Sequence, residues 1–299
     1  MKICSLFPTA TEIIYSLGLI DNLVGITYAC DYPPEVKSKP IIVRRLKYFD
    51  NLNPEEIDAY ISKAAKEGET LYQVNLELLK ELKPNLIITQ GLCDVCSLPE
   101  IQAYKAVEET CKDAQILNLK TESFKDVLSS ILLIGKATNR LKEAESLVHK
   151  IKAEVEEIYE KVKTLGKVKA FCLEWLNPPW ASGHWVPEMV EYAGGYDELA
   201  RKGEPSRRIT WEEVRAYSPE VVILIPCGFS VEKTLKSLKG EVREKLKSLG
   251  SQIYATEASS YFNKAGPRLV DGIKILAEIF HKDVFEDIAP RGSYVKINL

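Results

Sequence analysis

The sequence predicts an α/β fold of two similar lobes, each with a mainly parallel sheet, joined by one long α-helix, with a ligand cleft between the lobes. Short apolar runs alternate with helical periodicity along the whole chain, which is the signature of α/β units. A proline-free stretch, Ser123 to Leu165, keeps apolar residues three and four apart. A segment of the first half also aligns on one of the second without gaps. With 299 residues, 45% of them hydrophobic, the chain can bury two ordinary cores. The expected division is an N-terminal lobe (1–122), a linker containing the long helix (123–165) and a C-terminal lobe (166–299).

The expected strands are the apolar runs Ile3 to Leu6, Leu23 to Ile26, Leu86 to Thr89, Ile116 to Leu119, Val168 to Leu173, Val221 to Ile225 and Gln252 to Ala255. Helical patterns fill intervals at Ala10 to Leu17, Pro54 to Lys66, Leu76 to Leu82 and Pro187 to Tyr192. In the proline-free stretch, Ser123 with Asp126 gives a capping-box-like start and Gly166 a stop. A break is expected near Gly135, because glycine costs about 1 kcal/mol against alanine inside a helix. The remainder, Lys136 to Leu165, would span about 45 Å. KSLKGEVREKLKSLG reads as solvated helix faces.

The internal match pairs NLELLKELKPNLII (Asn75 to Ile88) with TWEEVRAYSPEVVI (Thr210 to Ile223), setting Glu77 against Glu212 and Pro84 against Pro219. Each copy reads as a helix, a proline that ends it and a buried strand. Apolar positions alone match by chance between ordinary α/β units; the matched Glu and Pro argue for duplication. Glu77 and Glu212 then occupy equivalent surface positions, where a partner with two-fold related basic sites could grip both.

Composition excludes several classes. Forty Lys and Arg against 43 Asp and Glu give a net charge of −3, with no basic block that would mark a nucleic-acid or membrane-surface binder. No run of about 18 apolar residues occurs, so no membrane span is expected. Thr9, Thr11, Glu12 and Ser16 interrupt any secretory h-region. Seven scattered cysteines suit a reducing compartment better than a disulfide framework. The location expected from these features is cytoplasmic, or extracytoplasmic if an export signal preceded Met1. There is no Walker loop, Gly-x-Ser-x-Gly elbow or His-Glu-x-x-His helix. An enzyme would have to use thiols alone, and none is expected.

Loops after the carboxyl ends of strands line the ligand crevice in such sheets. Those loops carry Tyr28, Cys30, Asp31 and Tyr32; Cys93 and Cys96; Cys172, Glu174 and Trp175; and Cys227 and Phe229. Trp180, His184 and Trp185 follow in CLEWLNPPWASGHWVPE. Aromatic walls of this kind suit a large, flat or partly apolar ligand.

SLFPTATEIIYSLG, GITYACDYPPEV, NLELLKELKPNLIITQG, LNPPWASGHWVPEMVEYAGG and SSYFNKAGPRLVDGIKILAEIF, in that order, resemble the cobalamin-binding type of substrate-binding protein of ABC importers. That group is related to iron-siderophore and haem binders. The resemblance runs from near Ser5 to Phe280. It implies two lobes bridged by a stiff helix, little hinge closure, no required cofactor, and a monomer that binds a corrinoid or related metal chelate. Ligand contact is implied for the Pro8 to Thr11 turn (Pro8 and Thr9), Tyr28 and Tyr32 of the CDYP loop, Asn177 to Gly183 (Trp180, Ser182 and Gly183), and Tyr261, Phe262 and Lys264. Cys30, Tyr72, Cys93, Trp175, His184 and Phe229 join these as rim candidates. The resemblance also implies that Glu77 and Glu212 meet arginines of an ABC permease, by the oriented pairing that carboxylate and guanidinium favour. A tryptophan can stand six residues before each docking Glu in corrinoid-binding relatives; here Leu71 and Ser206 hold those positions, with Tyr72 a partial substitute.

Cys93-x-x-Cys96 can be a metal pair, a redox pair or a cleft lip. A zinc ribbon needs a second pair, and none is present. Cys30, Cys172, Cys227 and His184 could complete a soft site through the fold; otherwise each is a small buried hydrophobe or a polar wall residue. His184 could also serve as an axial ligand to cobalt or iron. The alternative function is a cytoplasmic corrinoid or metal carrier, or a thiol-dependent enzyme, on the same fold.

Overall fold

The structure is a computed structural model and describes residues 1–49, 51–67, 69–90 and 109–299. Cys93 and Cys96 lie outside the described residues. The chain divides into two compact units: Met1–Leu52, Ala59–Thr121 and Lys125–His149 in the first, and Asn53–Asp58, Glu122–Phe124 and Lys150–Leu299 in the second.

In the first unit the strands are β1 (Ile3–Ser5), β2 (Leu23–Thr27), β3 (Ile41–Arg45), β4 (Tyr72–Val74), β5 (Leu86–Gln90) and β6 (Gln115–Leu119). They form one sheet in the order β4-β3-β2-β1-β5-β6, parallel except where β4 returns antiparallel against β3. β1 and β5 are wholly buried apolar strands apart from their ends. Helices α1 (Pro8–Ser16), α2 (Pro54–Glu67) and α3 (Leu76–Leu82) connect them. Cys4, Leu6, Ile42, Leu79 and Ile87 centre the core. β3 and β4 are not among the expected strands. In IIVRR the polar arginines mask a strand, and YQV is too short to signal one until it pairs with β3.

The proline-free stretch forms two helices, α4 (Phe124–Ala137) and α5 (Leu141–Val162). The break lies at 138–140 and not at Gly135. Asn139 takes the left-handed conformation at φ 58°, a common way to end a helix, and Arg140 N–H donates to the Gly135 carbonyl at 2.7 Å. Gly135 stays helical because it serves packing: a Cβ there would lie 2.4 Å from the Ala144 Cβ. The 22 residues of α5 span about 33 Å, shorter than expected, and the division between units falls within it.

The second unit holds β7 (Val168–Trp175), β8 (Trp180–Ala181), β9 (Gly195–Tyr196), β10 (Arg207–Arg208), β11 (Val221–Leu224), β12 (Gln252–Thr256) and β13 (Tyr294–Ile297). Its sheet order is β10-β8-β7-β11-β12-β13, with β9 beside β7. β7, β11 and β12 run parallel, but β8, β10 and β13 pair antiparallel. This sheet is therefore mixed, in contrast to the mainly parallel one expected. The NPPW turn folds β8 straight back on β7, and the C-terminal tail covers the β12 edge. Helices α6 (Val186–Tyr192), α7 (Trp211–Tyr217), α8 (Val231–Ser237), α9 (Gly240–Lys247), α10 (Ala258–Tyr261) and α11 (Leu269–Phe280) complete the unit. Phe171, Leu173, Val214, Val222, Leu224 and Leu246 form its core. KSLKGEVREKLKSLG becomes the end of α8 and all of α9, which is solvated except at Val242 and Leu246.

The internal match is structural. Asn75 caps α3 by accepting from Leu78 N–H, and Thr210 caps α7 from the equivalent place. Lys83 and Ser218 end the helices in the left-handed region at φ 48° and 51°. Leu86 and Val221 then open the strands, pairing with β1 and β7 respectively. The two lobes thus repeat a cap, helix, left-handed residue, buried proline and strand in the same order.

Candidate functional site

The carboxyl edge of the first sheet collects a set of aromatic side chains around Arg45, and Lys47 lies over the Tyr60 ring that packs edge-on to Phe49. Tyr28 follows β2 and Tyr72 opens β4; their rings stack with centroids 6.0 Å apart. Arg45 ends β3 and sits opposite Tyr72 in the antiparallel register, so its guanidinium reaches both. Its carbon lies 5.2 Å from the centre of the Tyr28 ring and 4.7 Å from that of Phe49. Burial works against the charge, but the Tyr28 and Tyr72 hydroxyls, which accept from the guanidinium, outweigh it and raise the pKa. Tyr32 stands nearby in sequence, edge-on to Tyr15 at 5.7 Å. Arg45 and Phe49 are absent from the sequence-based candidates: an Arg-Arg pair and a lone Phe carry no motif, and only the register brings them to the tyrosines.

Pro8 occupies the first turn of α1, where its missing N–H costs nothing, and Thr9 is buried beside it. Cys30, expected on the rim, is 5% exposed. Its thiol lies 3.1 Å from the Thr11 hydroxyl, which in turn donates to Ser5. It pins the CDYP loop to α1 from below.

In the second unit the carboxyl ends of β7, β11 and β12 carry a second aromatic group. Trp175 meets Phe229 edge-to-face at 5.4 Å and donates its indole N–H to the Pro54 carbonyl at 3.0 Å. Trp180 lies opposite Trp175 in the β7–β8 register and opposite Arg208 in β10. The guanidinium of Arg208 sits 5.5 Å from the centre of the Trp180 ring and bonds Asp58 at 2.5 Å. The Lys233 ammonium lies 4.2 Å from the Phe229 ring centre, and Arg268 stands 5.6 Å from that of Tyr261. The Trp180 Nε1 and Ser182 Oγ atoms are buried with no hydrogen-bond partner. Lys264 is half-buried next to Asn263, whose amide ties Gly228 N–H to the Ile225 carbonyl.

Other expected residues make contacts within the second unit. Phe262 is 1% exposed, and its carbonyl accepts from the Trp185 indole at 2.8 Å. Gly183 permits a close chain crossing, since a Cβ would lie 2.4 Å from the Glu204 carbonyl oxygen. His184 takes φ 51°; burial lowers its pKa against the opposing pull of Glu122, and its Nδ1 has no partner. Glu174, at the irregularity where β8 leaves β7, accepts from Gly183 N–H and the Ser206 hydroxyl, yet burial raises its pKa to about 7. Asp197 accepts from Cys172 and Leu199 N–H, and burial again raises the pKa to about 7.

Among the described residues no three of His, Cys, Asp and Glu gather to hold a metal. Cys172 lies inside β7 with its thiol pKa driven well up by burial and by Asp197 and Glu174. Cys227 sits after β11 with its N–H on the Glu174 carbonyl. The expected pair Cys93 and Cys96 falls outside the described residues. Glu77 and Glu212 are both exposed, each in the first turn of its helix, and Glu77 borders a concavity of about 440 Å³ lined by Gln73, Val74 and Asn75.

Residues 3–248 match the family model described as Periplasmic binding protein. An uncharacterized ABC transporter substrate-binding lipoprotein, YvrC, of Bacillus subtilis is 28% identical, covering 96% of this chain and 82% of its own length. A vitamin B12-binding protein of Vibrio cholerae is 21% identical over 91% of this chain and 86% of its own. Among solved structures, the periplasmic vitamin B12 binding protein BtuF of Vibrio cholerae superposes with a TM-score of 0.67 at 20% identity, covering 92% of this chain and 94% of that one. A periplasmic heme binding protein of Pseudomonas aeruginosa gives 0.71 at 14% identity, covering 100% and 98%.

These findings overturn the expected cytoplasmic location: the relatives are periplasmic proteins and a lipoprotein, so the family is extracytoplasmic. Cysteine number misleads because Cys4, Cys30, Cys111 and Cys172 are all buried, and a buried thiol is shielded from oxidant whatever the compartment. The cytoplasmic alternative falls with it, and the relatives are solute-binding proteins rather than enzymes. Among the described residues no helix is long and apolar enough to cross a membrane. The chain belongs to the periplasmic binding protein family.

Proposed function

We propose that this protein binds a corrinoid or related metal chelate and delivers it to an ABC permease. The observation that carries this reading is the aromatic lining at the carboxyl edge of each sheet: Tyr28, Tyr32 and Tyr72 in one unit, and Trp175, Trp180, Phe229 and Tyr261 in the other. Such faces suit a broad planar ligand whose polar edge needs a few fixed groups. The names of relatives that bind vitamin B12 or haem support the same class. Pro8 and Thr9 shape the edge of the first face, with Cys30 supporting it from within; Ser182, Gly183, His184 and Lys264 shape the edge of the second, with Phe262 supporting it. Glu77 and Glu212 dock on arginines of the permease, placed alike by the repeated cap and helix.

Absorbance titration of the purified protein with cyanocobalamin, dicyanocobinamide and haemin tests this. A saturable band shift at one-to-one stoichiometry with at least one of them is expected. Absence of any shift at concentrations up to about 100-fold above the protein refutes the metal-chelate assignment.

A further inference from the structure

We propose that Arg45 captures an anionic group of the ligand, a carboxylate or a phosphate, at the carboxyl edge of the N-terminal sheet; this rests on the reading of that edge as a ligand-binding face. Arg45 is held as a receptor group rather than as an ordinary surface cation. Tyr72 faces it across the strand register, and Tyr28 and Phe49 place their rings at 5.2 and 4.7 Å from the guanidinium carbon. Its Nε is buried without a hydrogen-bond partner, and among the described residues no carboxylate pairs with it. A half-buried cation that, among the described residues, meets phenol hydroxyls and no carboxylate retains unmet demand for negative charge. The planar fork of arginine matches a carboxylate or phosphate with two parallel bonds, and the flanking rings hold that plane.

The same strand end supplies the rest of a ligand contact. Leu46 and Tyr48, 54% and 71% exposed, follow directly and offer apolar surface beside the charge. Arg44 points to the opposite face by strand alternation; Lys47 lies 3.9 Å from the centre of the Tyr60 ring, which packs edge-on to Phe49, so among the described residues Arg45 is the cation that reaches Tyr28. The arrangement fits an amphipathic ligand with an apolar body and an anionic arm.

Two ligand pairs that differ at the anion test this, with binding to the whole protein read by quenching of its intrinsic fluorescence. Haemin against its dimethyl ester removes the carboxylates; cyanocobalamin against dicyanocobinamide removes the nucleotide loop with its phosphate, so for this pair the loss of preference in Arg45→Gln is what assigns it to the anion. In at least one pair the anionic member is expected to bind wild type about tenfold or more tightly than its twin. Arg45→Gln abolishes that preference and leaves the twin's affinity unchanged, while Arg243→Gln, an exposed arginine on α9 with the same charge loss, keeps it. Equal binding within both pairs, or equal weakening of both members by Arg45→Gln, overturns the proposal. Should none of the four bind, the metal-chelate assignment fails, and the anion site is judged separately with citrate and pyrophosphate. Either should raise the Tm of wild type and not of Arg45→Gln; no rise in wild type overturns it. If Arg45→Gln does not fold, phenylglyoxal labelling of wild-type Arg45 replaces it: the bound anion should slow the labelling, and an unchanged rate overturns the proposal.

Discussion

Replacing Glu174 by Gln should stabilise the C-terminal unit at neutral and alkaline pH and leave it nearly unchanged in mild acid. Burial raises the carboxyl pKa from 4.5 to about 7, against the lowering effect of bonds from Ser206 and Gly183. The folded unit therefore holds this proton between about pH 4.5 and 7, where the unfolded chain releases it. Because the folded state binds more protons, stability falls as pH rises through that window and stays reduced above it. At 1.36 kcal/mol per pKa unit the loss reaches about 3 kcal/mol by pH 8. Glutamine keeps an oxygen for Gly183 N–H and Ser206 and adds no charge. Asp197, also raised to about 7 by burial, contributes a second loss of the same sign, so Glu174→Gln should remove roughly half of the pH dependence. Urea unfolding at pH 5, 6.5 and 8, followed by tryptophan fluorescence, reads the effect. A variant with the wild-type pH slope, or one less stable than wild type at pH 8, would refute the reasoning.

Other changes follow from local geometry. Gly135→Ala should destabilise by about 1–3 kcal/mol despite the better helix propensity of alanine, since its Cβ would overlap Ala144; urea midpoints decide. Lys83→Gly and Ser218→Gly should each stabilise by about 0.5–1 kcal/mol, because both residues occupy the left-handed region at a helix end; matched gains in Tm are expected. Thr210→Ala removes one half of the capping box with Glu213 and should cost about 1 kcal/mol, visible in the same unfolding assay. Glu77→Ala and Glu212→Ala, both exposed, should change stability by less than about 0.5 kcal/mol and leave ligand affinity intact, yet each should lower transport-coupled ATPase stimulation in proteoliposomes carrying the permease.

Central strands are legible in the sequence because they are continuous apolar runs: Leu86 to Thr89 and Val221 to Ile225 nearly coincide with β5 and β11. The helix Leu76 to Leu82 is legible to the residue, since an Asn cap and a following proline bracket it. β3, β4 and β13 are not, because their strand character comes from pairing, while Arg44, Gln73 and Lys296 break the apolar signal. The helix break is displaced because propensity alone marks Gly135 as a weak point, whereas its small size is used for contact with Ala144. Within the site, Tyr28 and Trp180 are visible as aromatics after strands. The role of Arg45 depends on a register with Tyr72, and that of Cys30 on a hydroxyl contributed by a different helix; neither is encoded in local spacing.

The repeated module also explains where this architecture tolerates change. Its first and last residues have kept one interval in both halves, whereas the chain from β1 to that module is much longer in one lobe than in the other: Ile3 pairs with Leu86, but Ala170 pairs with Val221. The surplus is absorbed upstream, by β2, β3 and α2. Insertion on that side of the lobe can therefore lengthen one half of the chain while the cap, helix and strand of the module keep their spacing, so what precedes the module can diverge without moving the exposed acid it carries.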